Sequence, residues 1–516
     1  MGRVFGLAAW LLAYVAVVPH HGVSAEANGV QTEAVTAVAG SQKAACKLLS
    51  LTHPDHTFFE GSDSYKYETQ TQYWSSAVYD SPACVFVPQD AKQVSFAVST
   101  LTLTLTKFAV RSGGHMPVPG YNSIGSSGVL LSNSNLSTLA LSKDHATVSV
   151  GPAYRWRDVY SYLQPYNLTA VGGRVGHVGV AGLLLGGGIS FHSSQYGFAA
   201  DNVVAYEAVL ANGQVVVAKP DNAYSDLYWA LKGGGNSFAI VTRFELRTVP
   251  SPGVWIGIAQ YNETDKDKYL DAVYNFGKYG SADSKAAIIP TMVGYPQFGM
   301  IAYAASRFYD SVTNPPTVFE NFTALKTVAD QYAFQPLATY ISAVDALQPN
   351  GLRQDFRVAS FMVNREVVST VHDMFFTAAN SELASITGLT ASITFQPVSK
   401  GFIKNGRSRG GPNPQGVDSC KAPYFWIVQN LSWQSAGDDA KVRSFAKATI
   451  AKIEGAIKAR GVAGGYLYMN DAGDGQPVFQ SYPAQNLKRL KDIRTKYDPL
   501  RIYTNLLSGG WKVLDA

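Results

Sequence analysis

Two histidines lie inside glycine runs, and a histidine held among exposed backbone amides can do chemistry on a bound nucleotide. The first run is Arg111-Ser112-Gly113-Gly114-His115. The second is Gly172-Gly173-Arg174-Val175-Gly176-His177-Val178-Gly179, continuing through Gly182 to Gly186-Gly187-Gly188. Glycine is entropically costly inside regular structure, so a cluster this dense marks tight turns and close approach of backbone to something. Amides exposed in such turns cradle phosphates. On the residues alone two readings stand. One is a nucleotide cofactor held by backbone with His115 beside it. The other is a set of glycine turns in a secreted all-β domain, with His115 hydrogen-bonded inside it.

The common catalytic signatures are absent. There is no G-x-G-x-x-G fingerprint, P-loop, G-x-S-x-G elbow or H-E-x-x-H helix. The nine histidines do not fall into metal-ligand spacing with acidic residues. His20 and His21 belong to an apolar leader, and His53 and His56 carry no visible role. His115 and His177 are the two that remain.

The elements that must position them follow from periodicity. Residues 82–110 read as strand, helix, strand: Cys84 to Pro88, Asp90 to Thr100, then Leu101 to Val110, where leucine alternates with threonine. Gly128 to Leu131 and Thr147 to Val150 read as strands and Trp156 to Leu163 as helix. Residues 200–219 read as extended with an Asn212-Gly213 hairpin turn. Tyr224 to Leu231 reads as helix, with Asp221 or Asn222 available as its cap, and 239–249 as strand. Farther on, Lys268 to Tyr279, Thr317 to Tyr332, Val367 to Ala379 and Asp439 to Arg460 read as helices. The last is the most clearly amphipathic. Ser385 to Pro397 and Phe425 to Leu431 lean to strand, Phe356 to Val363 gives no assignment, and Lys404 to Gln415 reads as a loop. A helix from Ala484 to Lys496 stops ahead of Pro499. Ala44 to Ser50 begins a short helix, and Tyr65, Tyr67, Tyr73 and Trp74 form an aromatic cluster expected to pack a terminal segment onto the main domain, with a pocket wall as the lesser alternative. The order is α+β rather than a series of regular parallel crossover units.

Arg3, the apolar run Phe5 to Val18 and the small residues Val23-Ser24-Ala25 have the pattern of a secretory signal peptide. Removing 25 of the 516 residues leaves 491, enough for two or three domains. Glu26 to Gln42 has no firm period. Five sequons, at Asn135, Asn167, Asn262, Asn321 and Asn430, agree with secretion. With three cysteines, Cys46, Cys84 and Cys420, one bridge is possible; Cys46–Cys84 would tie an N-terminal segment to the first strand of the main domain. A net charge of +5 without basic runs argues against a nucleic-acid partner, and no later apolar run has membrane-spanning length.

Taken together, the motifs resemble the secreted fungal and plant FAD-linked oxidases of the vanillyl-alcohol oxidase superfamily, in the berberine-bridge-enzyme-like branch. Arg111 to His115 resembles the loop whose histidine bonds to the flavin 8α-methyl. Val178-Gly179-Val180-Ala181-Gly182 with Gly186 to Gly188 resembles the second flavin loop, and Leu231 to Phe238 with Val241-Thr242 resembles a further Gly-rich element. Tyr468-x-Asn470 and Lys496 to Pro499 resemble the C-terminal segment that covers the cofactor. The resemblance spans roughly 46–516. It implies an α+β fold: an FAD-binding domain of the PCMH type with two α+β subdomains, and a substrate domain with an antiparallel sheet covered by helices. The divisions it implies are 1–25 leader, 26–81 N-terminal segment, 82–250 FAD-binding, 251–457 substrate-binding and 458–516 returning segment.

Cofactor contacts implied by the resemblance fall on Arg111, Ser112, Gly113, Gly114, His115, Val175, His177, Gly179, Gly182, Gly187 and Asn486. The pyrophosphate is expected on the amides of Ser112 to Gly114, with Arg111 structural rather than a phosphate clamp. Many members carry a second tether through a cysteine; Val175 stands there, so one covalent link through His115 is expected, and with it a smaller or more apolar substrate than an oligosaccharide. His177 either faces the flavin or makes a loop hydrogen bond. The implied reaction is hydride transfer to flavin N5 with removal of a proton by a base, then reoxidation by molecular oxygen to hydrogen peroxide. Tyr468 is the candidate base, or else a core tyrosine packed on the flavin ring. Asn470 is its neighbour in the site, and Asp471 is a weaker candidate. Ala484 replaces a glycine usual near Asn486. The substrate is an alcohol, a sugar or a secondary metabolite; the competing readings are a dehydrogenase or oxidative cyclase that reacts poorly with oxygen, and a carbohydrate-binding or scaffold protein without turnover. A monomer or homodimer is expected.

Overall fold

Cys46 and Cys84 are bonded, so the helix Gln42–Thr52 is fastened to the strand Cys84–Phe86. The structure is a computed structural model that describes residues 42–313 and 317–516; the expected leader and the stretch before Gln42 lie outside the described residues. Cys420 is free and exposed.

The first sheet comprises β1 (Thr57–Phe58), β2 (Cys84–Phe86), β3 (Lys107–Arg111) and β4 (Gly128–Ser132), in the order β1-β2-β4-β3. Strand β4 runs parallel to both β2 and β3. Parallel strands are covered on both faces, which is why Cys84-Val85-Phe86 and Val129-Leu130-Leu131 read as unbroken apolar runs. The expected strand Leu101 to Val110 is shortened at its start: Leu101 to Leu103 end a helix and Thr104 to Thr106 turn the chain. Asp90 caps the helix Ala91–Leu103 by accepting from the Gln93 N–H, and the strand starts only at Lys107. Val94, Ala97, Val98 and Leu101 are buried at helical spacing, while Leu103 and Leu105 are exposed, so the Leu/Thr alternation had no sheet face to serve.

The second sheet is antiparallel: β5 (Leu139–Leu141), β6 (Thr147–Val150), β7 (Leu168–Ala170), β8 (Val203–Val209), β9 (Val215–Ala218) and β10 (Ile240–Pro250), ordered β5-β6-β10-β8-β9 with β7 on β10. Asn212-Gly213 turns β8 into β9, with Gly213 at φ +81°. The helices Trp156–Leu163 and Ser225–Leu231 form as the pattern predicts. Tyr224 occupies the cap position of the second; Asn222 shapes the turn ahead of it by accepting from the Lys219 and Tyr224 N–H groups.

The third sheet has eight strands: β11 (Val254–Tyr261), β12 (Ala286–Tyr295), β13 (Met300–Tyr309), β14 (Thr327–Asp330), β15 (Ala333–Gln335), β16 (Arg353–Met362), β17 (Thr390–Val398) and β18 (Tyr424–Trp433). All its pairings are antiparallel. Period two divides its faces. Phe361, Phe425, Ile427 and Trp433 pack under the helices Lys266–Lys278, Arg365–Glu382 and Asp439–Ala459, whereas Val358, Tyr424 and Trp426 join the core of the second sheet. In Asp439–Ala459, Val442, Phe445, Ile450, Ile453 and Ile457 are buried, each contributing roughly 1.5–3 kcal/mol of burial. The unassigned stretch around Phe356 is therefore the strand β16.

Two expectations fail in this region. Thr317 to Tyr332 is not one helix: a short helical stretch ends at Thr323 and the chain becomes β14. Only Phe319, Phe322 and Leu325 are buried there, too few for a helical face. Asp330 instead pairs with Arg307 of β13 at 2.5 Å. Lys404 to Gln415 is not all loop. Ser399 caps a helix Lys400–Gly410, whose Gly406 lies against the Gly197 backbone and whose last turn carries Arg407 and Arg409, favourable for the helix dipole. Its glycine serves close packing, not a turn.

The tail returns to the first sheet. The helix Ala484–Tyr497 ends ahead of Pro499, and the Asp498 carboxylate accepts from the Ile502 and Tyr503 N–H groups. Leu507 then bridges Phe108 of β3.

Candidate active site

The two glycine runs touch backbone to backbone. A β-carbon on Gly113 would stand 2.4 Å from the Gly179 Cα, and one on Gly179 would stand 2.7 Å from the Gly113 Cα. No real side chain fits either gap, so the glycines at these positions permit the contact. Gly114 adopts φ +68° and presses on the Gln72 carbonyl. Arg155 pins the junction: its guanidinium donates to the carbonyl oxygens of Gln72 (2.9 Å) and Gly113 (3.1 Å). The second run is strapped to the start of the helix Trp156–Leu163 through Trp156 N–H to Val178 O, Arg157 N–H to Gly176 O and Val180 N–H to Tyr154 O. Gly172 and Gly173 lie flat on the Trp156 indole. Gly182, in the short helix Val180–Leu185, is exposed, and a β-carbon there would meet nothing within 4 Å. A Gly113→Ala substitution forces the runs apart; we expect a loss of about 1–3 kcal/mol, read as a lower Tm, together with reduced cofactor content.

His115 stacks face to face on Trp74, with ring centroids 4.2 Å apart and planes at 8°. Of the aromatic cluster, Tyr65 and Tyr73 do pack the terminal segment, through hydroxyls donated to the Pro82 and Asn122 carbonyls, and Tyr67 is exposed. Trp74 walls the site. The His115 Nε2 is buried and has no hydrogen-bond partner among the described residues. Burial, with the nearby Arg155 and His177, pushes the imidazole pKa down to about 3, so the ring is neutral and keeps a lone pair free.

Arg111 is committed to the protein. It is buried and ion-paired with Glu68, and it donates to Ser132 Oγ, Ser134 Oγ and its neighbour's carbonyl at Ser112. Ser112 accepts from Asn133 Nδ2 at 3.2 Å. His177 is held by Asp345, from the end of the helix Leu337–Asp345: its backbone N–H donates to Oδ1 at 3.1 Å, and its Nε2 lies 3.5 Å from Oδ2. Burial lowers the His177 pKa more than Asp345 raises it. Asp345 is buried and also faces Arg157 at 3.8 Å, so it clasps the third-sheet region onto the second run. Asp345→Ala should lower stability by about 1–3 kcal/mol and leave the fold intact, measurable by denaturant melting. Val175 is half-buried beside this clasp. Gly187 holds φ +102° against Gln415. Asn486 donates to the Pro414 carbonyl at 3.0 Å and so faces the 413–416 segment rather than the two runs.

Tyr468 is buried at the other end of the second run. Its hydroxyl oxygen accepts from the Ile189 N–H at 3.0 Å and from Asn470 Nδ2 at 2.9 Å, and its own proton has no acceptor among the described residues. Asn470 also donates to the Leu183 carbonyl, and the Gly186 backbone lies against its amide. Burial and the adjacent Asp471 raise the phenol pKa; Asn470, Arg174 and the Ile189 N–H oppose them. Asp471 is raised by burial and accepts from Gln396 Nε2 at 2.8 Å, while Gln396 Oε1 accepts from Arg174. Arg155, Asp345 and Gln396 escaped the sequence reading, and Trp74 was read first as packing, with a pocket wall as the alternative. The Gly172-Gly173 pair leaves room for the Trp156 indole next to Arg155, but glycines alone do not name that neighbour.

Comparison with known proteins gives this geometry a setting. A family described as FAD binding domain matches residues 82–219. The FAD-dependent monooxygenase prx3 of Penicillium roqueforti is 34% identical over 496 residues, covering 93% of this chain and 96% of that protein. The bifunctional solanapyrone synthase of Alternaria solani is 32% identical, covering 95% and 93%. The fold matches 6-hydroxy-D-nicotine oxidase from Arthrobacter nicotinovorans with a TM-score of 0.70 at 18% identity, covering 87% and 96%. It matches glucooligosaccharide oxidase from Acremonium strictum, whose flavin is described as 6-S-cysteinyl and 8α-N1-histidyl, with 0.69 at 17% identity over 90% and 98%. With full-length relatives above 30% identity and the same fold, the chain belongs to the fungal, berberine-bridge-enzyme-like branch of the vanillyl-alcohol oxidase superfamily and is an FAD-dependent oxidoreductase.

Proposed function

We propose that the chain is a secreted FAD-dependent oxidase whose cofactor is tethered once, through His115, and which oxidises a small alcohol-type secondary metabolite. The observation that carries the reading is His115 itself: a neutral ring held flat by Trp74, with an unpartnered buried nitrogen, next to the Gly113–Gly179 contact. The residues fit FAD. Gly182 leaves open space, the glycines bring main chain where a phosphate or ring needs close approach, and Val175 offers no sulfur for a second tether. When bound, FAD supplies an electrophilic 8α-methyl for His115 and a two-electron acceptor at N5 whose electrons pass to dioxygen, giving hydrogen peroxide.

The chain's own part is positioning and proton handling. Trp74 and Arg155 fix the imidazole and its loop. Asn470 and the Ile189 N–H point donors at the Tyr468 oxygen, which leaves that oxygen free to exchange a proton with a substrate hydroxyl. One face of the third sheet packs beside Tyr468, with Trp426 stacked on its ring at 5.6 Å. The relatives named as monooxygenases and as a synthase of a named small metabolite favour a secondary metabolite over an oligosaccharide. Purified protein should be yellow and release peroxide with some member of a panel of alcohols; colourless protein, or no peroxide and no oxygen uptake across alcohols and oligosaccharides, would sink the reading. The sequons at Asn135, Asn167 and Asn321 are exposed and fit glycan attachment; Asn262 is half-buried, and Asn430 lies within β18 with its side chain on Gln354.

A further inference from the structure

Arg174 is half-buried and, among the described residues, lacks the carboxylate partner that most of the fully buried cations have. Arg111, Lys232, Arg307 and Arg357 each have a carboxylate within ion-pair distance, from Glu68, Asp201, Asp330 and Asp355. Lys512, which donates to Asn236 and has no such partner, has its pKa pushed down to about 7 by burial and can shed its proton. Arg174 cannot. Its guanidinium reaches Gln396 and touches Asp471 only through that amide, with no carboxylate within 4.0 Å among the described residues. A desolvated charge without a counter-charge is costly, and a guanidinium stays protonated. Burial is the largest influence on it, only partly offset by Asp471, Tyr468 and Tyr340.

Arg174 lines a cavity between the second glycine run and the third sheet. The same cavity is bordered by Ile189, whose N–H holds the Tyr468 hydroxyl, and by Ser190 and Ser193. Each of those serine oxygens accepts one backbone N–H, from His192 and Ser190 respectively, and neither hydroxyl proton has an acceptor among the described residues. The remaining wall is largely apolar and includes Phe191, Ile288 and Phe402. One fixed cation, free hydroxyl donors and apolar walls near the Tyr468 phenol suit the anionic oxygen group of a small, mostly apolar molecule.

We propose that Arg174 anchors the carboxylate, or the acidic enol or phenol oxygen, of the substrate and so holds its oxidisable carbon toward Tyr468. This rests on the reading that the cavity serves the substrate of an FAD-dependent oxidase. It names the class of substrate: a singly acidic aromatic or alicyclic alcohol rather than a neutral sugar. Arg174 is a specificity-determining residue in this account, since charge recognition and not bond making is its task.

The test is calorimetric titration of the holoprotein with benzoate and with benzamide, a neutral molecule of nearly the same shape. Benzoate is expected to bind about tenfold to hundredfold more tightly. Arg174→Gln should bring benzoate down to the affinity of benzamide, with FAD content by mass unchanged. Arg174→Lys, which keeps the charge and loses the planar fork, should lose benzoate affinity severalfold with benzamide unaffected; it stands in if the glutamine variant does not fold. Benzoate binding no better than benzamide to the wild type, including no binding of either, overturns the proposal. So does a benzoate preference that survives in Arg174→Gln, which would mean that Arg174 serves only to hold Gln396 and Asp471. Binding is read without turnover, so an Arg174-dependent preference in a protein that releases no peroxide would leave this inference standing and remove the oxidase reading.

Discussion

A His115→Ala protein is expected to carry no flavin on the denatured chain, whereas the wild-type chain should weigh one FAD more, with the addition on the peptide containing His115. The expectation follows from three features of the histidine. Its ring is neutral, because burial, with Arg155 and His177 nearby, pushes its pKa down to about 3. Its orientation is fixed by the Trp74 indole, a stacked contact worth roughly 0.5–1.5 kcal/mol. Its Nε2 lacks a partner among the described residues, so no hydrogen bond there competes with a bound group at that nitrogen. A nucleophile needs the first two, since a protonated or freely rotating imidazole would seldom present a lone pair to an electrophilic carbon. Only one FAD-sized addition is expected, and only one attachment site, because Val175 cannot form a thioether and the one free cysteine, Cys420, is exposed. Turnover in the alanine variant should fall by about tenfold or more even with FAD in excess, equivalent to at least about 1.4 kcal/mol on the barrier. An unmodified His115 peptide from active wild-type protein would end the single-tether account. A Trp74→Ala variant should retain the link in part, because it loosens the ring without removing the nitrogen.

How much of this was readable in the chain differs from residue to residue. The glycine runs announced a close backbone approach, and the contact between Gly113 and Gly179 is that approach. Sequence could not say that the runs meet each other, because a glycine is blind to what lies opposite it. Helix Asp439–Ala459 was legible since its apolar stripe repeats over many turns. Leu101 to Val110 misled because two exposed leucines, Leu103 and Leu105, happened to alternate with threonine; which leucine is buried is decided by the sheet above, not by the local pattern. At Lys400–Gly410 the glycine and arginine content imitated a loop, while the helix is stabilised by its Ser399 cap and by packing of Gly406 on Gly197. Arg155, Asp345 and Gln396 act across large sequence separations, Gln396 meeting Arg174 from another sheet, and nothing in their neighbours' identities marks them. The aromatic stretch before Pro82 was legible as packing, but Trp74 is also the wall of the site, a role set by where the chain ends up.

The second large effect is expected at Tyr468, where Phe should lower kcat by about 10²–10⁴-fold with flavin content unchanged. The hydroxyl oxygen already receives two N–H donors, from Ile189 and Asn470, which favour its deprotonated form, and its proton is uncommitted among the described residues. Burial and the Asp471 carboxylate work the other way and keep the phenol neutral at ordinary pH. A general base acts in its deprotonated form, so kcat should climb with pH toward the raised phenol pKa. Asp471 supplies the discriminating variant. Removing its negative charge in Asp471→Asn relieves one of the two causes that raise Tyr468, so the rising limb of the kcat profile should move to lower pH while activity persists. If Asp471 were itself the base, the same variant would lose activity at every pH, and Tyr468→Phe would keep the limb in place. Gln396→Leu separates the two roles further. It breaks the amide bridge that joins Asp471 to Arg174, and burial already raises Asp471. Asp471 should then protonate at higher pH than in the wild type, yet it stays ionised in the alkaline range where the phenol titrates. With Tyr468 as the base, the Gln396→Leu limb therefore stays near its wild-type position, unlike that of Asp471→Asn; with Asp471 as the base it shifts upward.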